Sequence, residues 1–187
     1  MKGILILIFI TIIFDCCSFS SDKEQSAPIK KQSEKLKSKN FFDYDEIDHY
    51  SSRYGDMDVE KLYNNQSRSK IDSLKTAVVL GDTPKGISDL SFIVKLESLG
   101  YKKNAVDKSK FEEIDKIFME KSVKQIIMYS CIYVYNDILI FKKQKKVIGT
   151  AKICFGCMGN EIKGTNANTE NFGQDGDYEK LEKLLGK

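Results

Sequence analysis

The 187 residues suit one domain of ordinary size, about 100–150 residues, plus appendages. With 41% hydrophobic and 11% aromatic residues the chain can bury a core, which excludes wholesale disorder. The formal charge of +3 resides in residues 21–40, where six lysines face Asp22, Glu24 and Glu34; residues 1–20 and 41–187 each balance. The body therefore lacks the basic field on which nucleic-acid binding relies, and no nucleic-acid partner is expected.

Met1-Lys2 followed by the apolar run Gly3–Phe14 has the layout of a signal peptide: a positive start and a short hydrophobic stretch. The run falls short of the ~20 residues needed to span a bilayer. Two processing routes fit residues 1–20. Ser18 and Ser20 supply small residues for ordinary cleavage before Ser21. Alternatively, Cys16 and Cys17, followed by Ser18 and a polar stretch, resemble the bacterial lipoprotein signal, in which a cysteine is lipidated. Cys17 is the favoured site, with Cys16 as the small residue before it. Asp15, at −1 of Cys16 and −2 of Cys17, departs from that pattern. Residues 21–40 are polar and rich in Lys and Ser, the composition of a flexible tether. Residues 41–187 then form a single α+β domain.

Alternation over Phe42–Tyr50 predicts a first strand, which carries His49, the only histidine. Asp56 is placed to cap a short helix with Val59, Leu62 and Tyr63 on its apolar face. Ser69 opens a second helix, with Asp72 three residues on, Ile71, Leu74 and Val78 as its stripe, and Gly81 as its stop. Ser88 predicts a third helix running to Gly100. Ser109 and Glu112 form a capping-box pattern ahead of Phe111, Ile114, Ile117 and Phe118.

The period then changes. Val123–Val134, Ile138–Phe141 and Val147–Cys154 are β-branched and aromatic, and predict an antiparallel meander packed by helices on one face. Glu161–Lys163 reads as a short edge strand. Thr165–Gly176 is rich in side-chain oxygens, but neither Asn166 nor Asp175 starts an EF-hand count with glycine at the sixth position. A C-terminal helix follows, with Asp175 or Asp177 at its start and Tyr178, Leu181, Leu184 and Leu185 as its stripe.

The chemistry-bearing residues are Cys131, Cys154 and Cys157. If the hairpin turns near Gln144, Cys154 stands opposite about Tyr135, and all three thiols collect at one end, provided residues 131–135 fold over it. In an oxidising compartment the expected product is a structural disulfide, Cys131–Cys154 or Cys131–Cys157. Cys154-Phe155-Gly156-Cys157 also has the C-x-x-C spacing of thioredoxin-type centres, but Met158-Gly159-Asn160 offers no helix start to activate a thiol. Zinc or copper would need the three cysteines plus His49 from a distant strand, so no cofactor is the leading expectation. The acidic runs Asp43/Asp45/Glu46/Asp48 and Glu112/Glu113/Asp115 read as solvated faces and helix-start charges. No G-x-S-x-G, H-E-x-x-H, P-loop or Rossmann pattern is present.

A short signal ending in Cys, a lysine-rich tether, and a body carrying Tyr135-Asn136-Asp137-Ile138-Leu139-Ile140-Phe141 and Ile153-Cys154-Phe155-Gly156-Cys157 resemble small bacterial envelope lipoproteins. The resemblance implies a lipid-anchored protein on the periplasmic or outer face of a membrane, and transfers no catalytic residues. The expected role is a non-catalytic binding or structural module whose partner is an envelope protein or a cell-wall component. The alternative is a thiol-redox or metal-binding protein using Cys131, Cys154 and Cys157.

Overall fold

The computed structural model describes residues 38–81, 83–122 and 130–187. The expected signal peptide, the lipidation sites Cys16 and Cys17, and most of the tether lie outside these residues.

The protein is mixed α+β, built on a five-stranded antiparallel sheet: β1 (Glu46–Ser51), β2 (Lys102–Ala105), β3 (Asp137–Lys143), β4 (Lys146–Cys154) and β5 (Gly159–Lys163), in the order β2-β1-β3-β4-β5. Its helices are α1 (Asp56–Asn64), α2 (Lys70–Leu80), α3 (Phe111–Ile117) and the C-terminal α4 (Asp177–Leu184).

The β3–β4 hairpin turns at Gln144-Lys145, both with positive φ, as a tight two-residue hairpin turn requires. Asp45 secures that turn by accepting from the Gln144 N–H at 2.9 Å. Farther along, Phe141 pairs with Gly149 but Lys142 pairs with Val147, so Ile148 is an extra residue in β4. This bulge advances the register by one: Asp137 faces Ile153, which brings Cys154 level with Asn136 rather than Tyr135.

Both faces of the sheet are covered, which corrects the expectation of helices on one face. The unbroken run Ile138–Phe141 divides between two cores. Leu139 and Phe141 join Ile47, Ala151 and Ile153 beneath Ile114, Ile117 and Phe118 of the α3 region and Tyr178 and Leu181 of α4. Ile138 and Ile140 join Tyr50 against Val78 and Val79 of α2 and Phe92, Leu96, Leu99 and Tyr101. An uninterrupted apolar run on a strand is what burial on both faces demands.

Several local expectations change. Residues 88–100 hold the buried spacing of a helix at Phe92, Leu96 and Leu99, yet form turns around one 3₁₀ segment, Ile93–Lys95. Their backbone bonds are mostly three residues apart, as in Lys95 N–H to Phe92 O at 2.9 Å, and the segment ends at Gly100 with φ 99°. Gly55, not Asp56, is the N-cap of α1, and its N–H donates to Asp58 Oδ2 at 3.1 Å. Ser69 does cap α2, but Ile71 and Tyr63 are exposed, and Thr76 and Val79 take the inner positions with Val78. Ser109 lies inside a 3₁₀ turn that Asp107 caps, so the capping box is not formed there. Gly176 is the N-cap of α4, and Asp177 supplies the acidic charge of its first turn. Of Val123–Val134, residues 130–134 are not a strand, and 123–129 lie outside the described residues. The third strand of the meander is β5, and β2, which pairs with β1, was not anticipated.

Candidate functional site

The site begins where β4 ends. Cys154 is its last residue and is buried. Phe155–Met158 then turn the chain into β5. Residues 131–135 fold over this end of the sheet. The Tyr133 ring lies so close to Gly159 that a Cβ there would come within 2.4 Å of it, and Tyr135 N–H donates to Val79 O at 2.9 Å. That crossing brings Cys131 to the turn. The Cys131 and Cys157 sulfurs lie at bonding distance, 2.11 Å, with their Cα atoms 6.3 Å apart. Cys154 is left as a free thiol. Of the two expected pairings, the structure holds Cys131–Cys157.

The surroundings of Cys154 do not resemble a redox centre. It sits on a strand, and Cys157 on a strand-to-strand turn, so no helix N-terminus favours a thiolate. Tyr135 and Tyr178 are near enough to interact with it electrostatically, and burial pushes the Tyr178 hydroxyl up to about 12. Among the described residues no group of three or more His, Cys, Asp or Glu side chains is arranged to hold a metal ion. Nor is any described helix long and apolar enough to cross a membrane.

His49 is not part of the cysteine cluster. It is 4% exposed, and its Nε2 stands 2.7 Å from Oδ1 of Asp137, itself 1% exposed. The second Asp137 oxygen accepts from Lys187 Nζ at 2.6 Å, and that ammonium also lies 5.6 Å from the centre of the Phe155 ring. Lys187 thus links the cysteine end to a neighbouring cleft of about 480 Å³, lined by His49, Ser51, Arg53, Lys102, Asn104 and Lys187 among others. Of these residues the sequence drew attention to His49 alone. Asp137 was the legible signal: one acid set directly before the apolar run Ile138–Phe141, where only a paired charge is tolerated.

The acidic runs separate by environment. Glu112 and Glu113 pair with Lys116 on the exposed face of α3, as helix-start charges do. Asp48, expected on a solvated face, is buried and held by Lys142 at 2.5 Å and Lys103 at 2.8 Å. Burial alone would raise its carboxyl, but the hydrogen bonds and charges of these two lysines outweigh it, and the net shift is downward.

Comparison of the chain with protein-family models, curated proteins and solved structures returns no match. The functional reading therefore rests on these residues.

Proposed function

We propose that this chain is an exported, lipid-anchored module of the cell envelope that works by binding or scaffolding rather than by catalysis. One observation carries the reading. Of three cysteines gathered at one end of the sheet, two stand at bonding distance and the third is sealed in the interior. Such a pair fastens the 131–135 crossover to the β4–β5 turn. Thiol catalysis instead needs an accessible thiolate of lowered pKa. A structural disulfide persists in an oxidising compartment, in keeping with Lys2 and the apolar run Gly3–Phe14 as an export signal. A lipid on Cys17 would hold the body at the membrane through residues 21–40, within reach of an envelope protein or a cell-wall component.

Palmitate labelling of cells producing the chain tests the anchor. The wild-type chain should take up label and sediment with membranes, and Cys17→Ala should lose both properties. Label that persists in Cys17→Ala and disappears only when Cys16 is also replaced would move the anchor by one residue. A wild-type chain that takes up no label and stays in the cytosolic fraction would overturn the proposal.

A further inference from the structure

We propose that the cleft bounded by His49, Arg53, Lys102 and Lys187 is a binding site for a small oxyanion ligand, one presenting a phosphate or carboxylate group. The inference does not depend on export or anchoring.

The argument starts at the imidazole. Both Asp137 oxygens accept hydrogen bonds, one from His49 Nε2 and one from Lys187 Nζ, so Nε2 carries a proton and the ring is fixed in orientation. The other ring nitrogen, Nδ1, has no hydrogen-bond partner among the described residues. Nδ1 is therefore open to solvent, and His49 lines a cleft of about 480 Å³, a volume suited to a small molecule.

Arg53, Lys102 and Lys187 line the cleft; the Lys187 ammonium is already paired with buried Asp137, which also holds His49, and this leaves Arg53 and Lys102 as the cations to meet a ligand. Arg53 and Lys102 form no ion pair with any carboxylate among the described residues, unlike Lys103, Lys142 and Lys143 on the same sheet, each of which has one. Ser51 and Asn104 add uncharged donors, and their places are set by strand register: Asn104 faces His49, and Ser51 faces Lys102 on one side and Asp137 on the other. A guanidinium and an ammonium lining one cleft with hydroxyl and amide donors match the chemistry of an anion with two or three oxygens.

The single histidine makes the test direct, because its ring resonances belong to one residue. The full chain in detergent is titrated with inorganic phosphate, and separately with succinate, at constant ionic strength set with chloride. At least one of the two should shift the His49 ring signals saturably. The anion that saturates at lower concentration identifies the class. Arg53 and Lys102 are exposed, so the Arg53→Ala/Lys102→Ala variant should fold, and its unchanged thermal unfolding is the check. In that variant the apparent affinity should fall by about ten-fold or more, as expected for losing charge-assisted hydrogen bonds. His49 signals that move with neither anion, or that move equally in wild type and variant, would overturn the proposal.

Discussion

At the scale of single residues, buried charge is the feature that most distinguishes this protein. Lys152 is fully buried in β4, yet its ammonium reaches Thr83 O at 2.6 Å and Glu161 at 2.7 Å and lies 4.7 Å from the centre of the Tyr135 ring. Asp48 is the clearer case for experiment. Its folded-state carboxyl sits below the ordinary 3.8, so the interaction stabilises the fold above that pH and is lost as pH falls through the folded value. Asp48→Asn should lower stability at neutral pH by about 1–3 kcal/mol, the cost of stranding its partners. The deficit should shrink as the pH falls below 3.8. Denaturant unfolding at several pH values measures it, and a deficit that stays constant into acid would show that the carboxylate charge is not what matters.

At the scale of elements, local signals and long-range pairing were unequally legible. The β3–β4 hairpin, the Ser69 cap and the Gly81 and Gly100 stops follow from nearest-neighbour chemistry, and each is present. Strand β2 follows from none, because Lys102-Lys103-Asn104-Ala105 is polar and exposed throughout. It exists because β1 offers it a free edge, and its lysines suit an edge strand. The register of β4 depended on a bulge at Ile148 that the apolar pattern alone could not place. Gly149 beside it is required by packing. Phe42 stacks on Phe141 with centroids 4.4 Å apart, and a Cβ at residue 149 would come within 2.1 Å of the Phe42 ring. Gly149→Ala should therefore cost about 1–3 kcal/mol through forced repacking. Gly156→Ala, where the space is open, should change stability by no more than about 0.5 kcal/mol. Equal effects in thermal unfolding would contradict this account of the strand.

For the molecule as a whole, the antiparallel α+β class was readable because periodicity switches visibly from helical to extended spacing. The two-sided covering of the sheet was not, although the run Ile138–Phe141 carried the clue. The cysteine end was half legible. Spacing around the Gln144 turn gathered Cys131, Cys154 and Cys157, but the choice among them depended on how 131–135 cross the sheet, a matter of tertiary packing at Tyr133 and Gly159. The His49 cleft was least legible, since it joins β1, β2, the start of β3 and Lys187, residues scattered over the whole domain.

The central claim is that the cysteine end is a staple made in an oxidising compartment, and cysteine mapping tests it most directly. The chain is isolated from membranes without reductant, unfolded in the presence of an alkylating reagent, and its modified peptides are identified. The account predicts that Cys154 alone of Cys131, Cys154 and Cys157 is alkylated before reduction, and that all three are alkylated after it. Alkylation of Cys131 and Cys157 without reduction, or a disulfide mapped to Cys154, would contradict it.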